Sequence, residues 1–367
     1  MGAKTYLIWF LATVTGAVIA IAGFNAWADR YILTHPAGPS FQTVSGFERV
    51  LKPAWLDSIK PDAVFIGTSD IRQGFDPVLI NRTYNVHAFN YGFSSVTAYE
   101  TRRMVQDAAA QPQVRNIFVS ANSFAGGSIA QPTTGGFDEL RLSVTPDGTP
   151  TPRRPLWLFT TRYLSGGATG MHATGLYMLA RLKRNETAKD RPDIFSAYSH
   201  MTKASFARDM ERRAGRSYSL SDWQREQLRG ALDAVCSKPI HLYLFFPPEH
   251  FAVVDRYFAN DAEGLINFKL AVLADVRAHN QTCRGKASLF DFMTLDNITG
   301  EKPDSSGVYP DYIDLVHFTP RIGTVLTGIM LGTSGLASDA DLTGDPFAES
   351  RIGQMIQEDK VWRSEKR

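Results

Sequence analysis

The chain has 367 residues, 44% of them hydrophobic and 21% charged, with 39 Lys and Arg against 37 Asp and Glu. This is a globular composition, large enough for one sizeable core or two modest ones. A net charge of +2 argues against the concentrated basic face that nucleic acid requires, and the short clusters Arg153-Arg154, Arg181–Arg184 and Arg212-Arg213 read as solvated faces, with anionic glycan or lipid headgroups as the lesser alternative.

Tyr6–Ala28 carries no charge over 23 residues, long enough to cross a bilayer as a helix. Lys4 precedes it and Asp29-Arg30 follow, a small asymmetry that favours a cytoplasmic N-terminus. As a signal anchor this helix tethers everything after it outside the cytoplasm. As a signal peptide it is cut after Ala26-Trp27-Ala28, which fits the small-x-small rule. A secretory apolar region usually spans ~7–15 residues, so the anchor is the better fit. Gly16 and Ala20 have the small-xxx-small spacing of helix–helix contacts.

A stalk with two prolines and a glycine, Tyr31 to Ser45, leads through Gly46–Lys52 into alternating elements. Strands are expected at Ala63–Ile66, Val86–Tyr91, Asn116–Ser120, Ile240–Phe246 and Ser288–Phe292. Helical spacing runs over Val96–Gln111, Ser221–Cys236, Asp261–His279 and Pro320–Leu331. Strands alternating with helices predict an α/β fold on a mainly parallel sheet. The rhythm breaks over 123–219, which opens rich in Gly and Thr and carries helical segments near Leu156–Leu182 and Ile194–Arg213. It reads as a partly helical insertion or cap over the carboxyl ends of the strands, where open α/β sheets bind ligands. The expected organisation is anchor 1–30, stalk and lead-in 31–60, catalytic domain 61–122 and 220–335, insertion 123–219 and tail 336–367. The tail carries one amphipathic stretch, Phe347–Trp362.

Chemistry concentrates in two pieces. Phe65-Ile66-Gly67-Thr68-Ser69-Asp70 is an apolar run that ends on a glycine and presents a serine. Asp314-Leu315-Val316-His317 puts an aspartate three residues before a histidine. A serine hydroxyl is a weak nucleophile at neutral pH; it needs a histidine to take its proton, and that histidine needs a carboxylate to fix its tautomer. Ser69, His317 and Asp314 are therefore the candidate nucleophile, base and orienting acid. An acyl-transfer site also needs donors for the developing oxyanion. The N–H groups of Ser69 and Gly92 and the side-chain amide of Asn122 stand at strand ends where they can supply them.

Other residues invite weaker roles. Asp70 caps the next helical turn, shapes the site or binds substrate. Arg72 can meet an anionic substrate or make a surface ion pair. His250, after Pro247-Pro248, can bind substrate, substitute as base or be a loop histidine. His87 and His241 lie within apolar strands and read as structural. Trp157, Tyr163 and Tyr177 in the insertion are candidates for a sugar-stacking platform, with core packing of the cap as the plainer role. Cys236 and Cys283, neither in a CxxC, form one disulfide or two buried thiols and offer no zinc spacing. No metal-binding spacing occurs elsewhere.

The order Ser69, Gly92, Asn122, Asp314-x-x-His317 resembles the SGNH (GDSL-like) hydrolase superfamily. The resemblance is closest to its membrane-anchored bacterial branch, which looks like proteins of polysaccharide O-acylation. It is carried by Gly46-Phe47…Lys52, Pro61-Asp62…Gly67-Thr68-Ser69…Phe75-Asp76-Pro77, Phe246-Pro247-Pro248-Glu249-His250 and Asp314…His317-Phe318, scattered over 45–331. The chain departs from the family in its serine block, Gly-Thr-Ser-Asp, in Asn90 two residues before Gly92, and in Ser-Ala-Asn-Ser at the asparagine block. The resemblance implies a flavodoxin-like three-layer α/β/α fold, a Ser-His-Asp triad and no cofactor. It also implies acyl transfer, acetyl above all, to or from an envelope or secreted polysaccharide, sometimes beside an integral-membrane acyltransferase that supplies the acyl group. The implied location is a bacterial inner membrane, single-pass, with the catalytic domain facing the periplasm. A non-catalytic accessory subunit of a polysaccharide-modifying membrane complex, and a secreted lipase-like esterase, are the competing expectations.

Overall fold

A computed structural model describes residues 2–34, 48–151, 164, 169–170, 172–177, 179–180, 200–212, 218, 220–293, 298–333 and 340–354. Trp157 and Tyr163 lie outside these residues, as does most of the expected stalk and the end of the tail.

The first helix, α1, spans Ala3–Thr34. Among the described residues it alone is long and apolar enough to cross a membrane. Its side chains are exposed as far as Ile21; from Ala22 onward one face is covered, burying Asn25, Ala28, Asp29 and Ile32. Helix α2, Glu48–Ile59, packs against this buried end. Pro53 sits inside α2, which is why the sequence reads there as a lead-in rather than as a helix.

The large sheet has five strands, β1 Ala63–Gly67, β2 Ala88–Gly92, β3 Asn116–Ser120, β5 His241–Phe246 and β6 Lys286–Asp291, in the order β2-β1-β3-β5-β6. Every neighbouring pair is parallel. The runs AVFIG and NIFVS are apolar throughout because strands of a parallel sheet are covered on both faces. Phe65 stacks on Phe118 at 4.5 Å and Phe118 on Tyr243 at 4.7 Å, so one row of rings crosses three strands. Each such pair adds about 0.5–1.5 kcal/mol beyond the area it buries. A two-residue strand β4, Met201–Thr202, pairs antiparallel with β7, Val308–Tyr309, and ties the end of the insertion to the loop that carries Asp314.

Three of the helices between strands begin on recognisable caps. Helix α3, Ser69–Gly74, and α4, Pro77–Tyr84, follow β1; Asp76 caps α4 through the Val78 N–H. Thr97 with Glu100 forms a capping box on α5, Ala98–Ala109. After α6, Lys203–Arg212, Ser221 with Gln224 does the same for α7, Asp222–Asp233. Helix α8, Phe251–Thr282, breaks its helical angles at Asp261, whose carboxylate accepts from the Gly264 N–H. The expected helix from Asp261 is thus the second half of a longer kinked one. Helix α9, Pro320–Met330, closes the domain against α3 and α4. The described part of the tail packs: Leu342 N–H donates to Leu289 O at the edge of β6, and Ala348 and Ile352 are buried. Cys236 and Cys283 are joined as a disulfide.

Candidate active site

Gly67 ends β1 at φ 156°, and a Cβ there would meet Ile71 Cγ1 at 2.6 Å and Ser120 Cβ at 2.8 Å. Only glycine lets the chain turn this tightly, and the turn delivers Ser69 as the first residue of α3. The opposite side of the site is a loop from Asp311 to Phe318. Tyr312 and Phe318, both fully buried, pin its ends, and Ile313 N–H donates to His317 O at 2.8 Å. The N–H groups of Val316 and His317 both donate to Asp314 Oδ1, at 2.9 and 3.0 Å. Asp314 Oδ2 meets His317 Nδ1 at 2.6 Å.

A carboxylate can only accept, so Nδ1 carries the proton and Nε2 is the acceptor. Nε2 lies 2.7 Å from Ser69 Oγ. Serine, histidine and aspartate, drawn from places 248 residues apart, thus form one unbroken hydrogen-bond chain. The His317 and Asp314 side chains are only 15% and 27% exposed, so the pair is partly shielded from water.

Ser69 and His317 open into a pocket of about 510 Å³. It lies where the sheet order turns from β2 back across β1 to β3, the switch point at which such sheets bind ligands. Asp70 and Asn122 also line it. Asp70 Oδ2 accepts from the Ser120 hydroxyl at 2.6 Å and Oδ1 from the Ile71 N–H at 2.8 Å, which ties the end of β1 to the end of β3. Burial pushes the Asp70 carboxyl up, and the hydrogen bonds from Ser120 and Ile71 and the nearby His317 oppose it.

Four expected residues stand elsewhere. Gly92 is off the pocket: its N–H donates to Asn90 Oδ1 at 3.0 Å and its carbonyl accepts from the buried Lys52 ammonium at 2.6 Å. A Cβ at Gly92 would lie 2.5 Å from the Arg72 backbone N, so this glycine serves the close approach of α3 to β2. Arg72 does not line the pocket; its backbone N–H donates to Thr68 O. His250 is 1% exposed and caps α8, with Nδ1 accepting from the Ala252 N–H and Nε2 donating to Glu301 O. Its ring is held against Phe206, Tyr309 and Tyr312. Tyr177 is exposed and does not line the pocket.

The pocket wall also contains residues without an expected role. Ser95, three residues past Gly92, lines the pocket with a left-handed φ of 51°. Glu249 lines the wall and is 3% exposed. Its Oε1 accepts from Asn122 Nδ2 at 3.1 Å and from the Tyr218 hydroxyl at 3.3 Å; Oε2 accepts from the Tyr257 hydroxyl at 2.8 Å. Because Glu249 only accepts, the Asn122 amide is locked with its NH₂ toward the carboxylate. The sequence signal for Glu249 was its position after Pro247-Pro248 at a strand end, one residue before the histidine.

Cys236, His279 and Cys283 bring ligand atoms within 4.8 Å of one another. The two sulfurs are bonded to each other and His279 Nε2 donates to Gly285 O at 2.9 Å, so this donor set is already satisfied. In comparisons with known proteins the chain matches no family model and no curated protein.

Proposed function

We propose that the protein is a serine O-acyltransferase or esterase of the SGNH type. It is anchored by α1 and acts outside the cytoplasm on an acylated polysaccharide. The observation that carries this reading is the chain Ser69–His317–Asp314, with both hydrogen bonds at 2.6–2.7 Å. The strand order, with β2 outside β1 and the remaining strands following on the other side, supports a flavodoxin-like three-layer arrangement. The Cys236–Cys283 disulfide supports an oxidising compartment, and the exposed apolar length of α1 before Ala22 supports a single-pass anchor in a bacterial inner membrane.

Ser69 Oγ attacks the ester carbonyl carbon as its proton passes to His317 Nε2, and Asp314 stabilises the imidazolium. The oxyanion is met by the Ser69 N–H and by the second N–H of the Asn122 amide, whose first is taken by Glu249. Collapse breaks the C–O bond, and His317 returns the proton to the leaving oxygen. The acyl-serine then passes its acyl group to a sugar hydroxyl or to water, with His317 again as base. The proposed acyl group is acetyl, and an integral-membrane acyltransferase is the proposed donor partner.

The test is turnover of acetyl esters by the full chain in detergent. Asp314→Asn should lower kcat by about 10⁴, as loss of the orienting carboxylate does in serine triads. Retained turnover in that variant, or in Ser69→Ala, would contradict the reading.

A further inference from the structure

Two loops that carry no triad residue line the Ser69 pocket: 95–97, just ahead of α5, and 131–134, in the insertion. Neither contains a charged residue. Glu100 of α5, fully buried, braces them together. Its Oε1 accepts from the Thr134 N–H at 2.7 Å and from the Thr134 hydroxyl at 2.6 Å, and its Oε2 accepts from the Thr97 N–H at 3.2 Å. Arg49 of α2 completes the brace. Its Nε and Nη2 donate to the two Glu100 oxygens at 3.3 and 3.1 Å, and Nη2 also donates to Ser94 O at 2.7 Å. The Thr97 hydroxyl donates to Pro132 O and joins the loops directly. Among the described residues, no hydrogen bond of Arg49 or Glu100 reaches Ser69, Asp314 or His317. Three side chains on this braced wall are uncommitted: Ser95, Gln131 and Thr133 line the pocket and make no side-chain hydrogen bond among the described residues.

Resting on the function proposed above, we infer that this wall is the sugar-binding subsite. Ser95, Gln131 and Thr133 bind the hydroxyls of an acylated sugar, and Glu100, paired with Arg49, is the positioning residue that sets their spacing. Each of the three side chains both donates and accepts, as a sugar hydroxyl does. Burying an ion pair costs desolvation that offsets much of its attraction, so the brace is a weak source of stability. What it supplies is a wall whose two halves hold one separation, and polar groups fixed in advance lose less freedom when a ligand binds. The brace and the triad stand on separate bonds. The wall therefore acts on the binding of the sugar part of the ester, while Ser69 meets the acyl carbon.

The experiment uses the full chain in detergent and two acetyl esters with matched leaving groups. One is a methyl glucoside acetylated on its primary hydroxyl; the other is cyclohexylmethyl acetate, a ring of the same size without hydroxyls. The wild type should prefer the sugar ester in kcat/KM. The Gln131→Ala/Thr133→Val double variant should lower that preference about tenfold, the loss of two ordinary hydrogen bonds. Glu100→Gln should lower the same preference through KM for the sugar ester rather than through kcat. Gln131 is exposed and Thr133 half-buried, so the double variant decides the matter if Glu100→Gln does not fold. A reactive wild type without preference for the sugar ester, or a preference unmoved by the double variant, would overturn the inference while leaving Ser69 active. A folded Glu100→Gln that loses kcat equally on both esters would overturn the positioning role. A folded wild type that turns over neither ester and takes no label from a small neutral fluorophosphonate would instead overturn the proposed function, and the inference with it.

Discussion

Replacing His172 with alanine tests how α1 joins the domain. Asn25 and Asp29 lie one turn apart on the covered face of α1, and the fully buried His172 bridges them. His172 Nδ1 is 3.1 Å from Asn25 Oδ1 and Nε2 is 3.2 Å from Asp29 Oδ1. Arg141 adds a bond to the same Asp29 oxygen at 3.3 Å, and Asn25 Nδ2 donates to Thr169 at 2.9 Å. Gly175, farther along the same helical stretch, faces Ile32, where a Cβ would lie 2.9 Å from the Ile32 Cδ1. His172→Ala removes two buried hydrogen bonds, about 1 kcal/mol each, and opens a cavity costing on the order of another 1 kcal/mol. The sum of about 3 kcal/mol corresponds, for a chain of 367 residues, to a fall in Tm of roughly 4 °C, measured on the full chain in detergent. A Tm within a degree of wild type would refute the clamp. The same contact predicts that the mature chain keeps its N-terminus, because cleavage after Ala28 would remove Asn25 from the bridge. Intact mass of the membrane-extracted protein checks this.

Burial raises the Glu301 carboxyl from 4.5 to about 7, with Asp311 also raising it and the Asp311 N–H and Arg321 opposing. Its folded pKa lies above the unfolded one, so the folded state holds more protons between those values, and stability falls as pH rises through about 7. Melting at pH 5 and pH 8 should therefore show a larger drop for wild type than for Glu301→Gln. Gly74→Ala should destabilise by about 1–3 kcal/mol through overpacking, because its Cβ would lie 2.2 Å from Phe318 Cε2. It should also slow ester turnover, since moving Phe318 moves the adjacent His317. The Cys236→Ala/Cys283→Ala double variant opens a loop of sequence separation 47. Denaturant titration should show a loss of about 2–4 kcal/mol, with the Ser69 reaction retained in the folded fraction.

The five strands of the parallel sheet were legible because each is a short apolar run, four of them closed by Gly, Pro or Asp, and their bounds move by only a residue or two in the structure. Ser69, Asp314 and His317 were legible for a related reason: a glycine-terminated strand and an Asp-x-x-His spacing each describe a local conformation that the chain adopts. Gly92 was not, because the direction of its N–H is decided by the Asn90 side chain and by the approach of α3. His250 and Glu249 are neighbours, and which of them faces the pocket depends on how α8 starts, with His250 as its cap. The bridge from α1 to His172 joins residues 147 apart, and nothing local announces it. Helix α2 was hidden by Pro53, and the first half of α8 by the break at Asp261.

The most direct measurement is peptide mapping of the full-length protein, solubilised in detergent and treated with a small neutral fluorophosphonate. A single modification is expected on the peptide containing Ser69, absent from Ser69→Ala and from a folded His317→Ala. A folded wild type that stays unmodified, or one modified only at another residue, would contradict it.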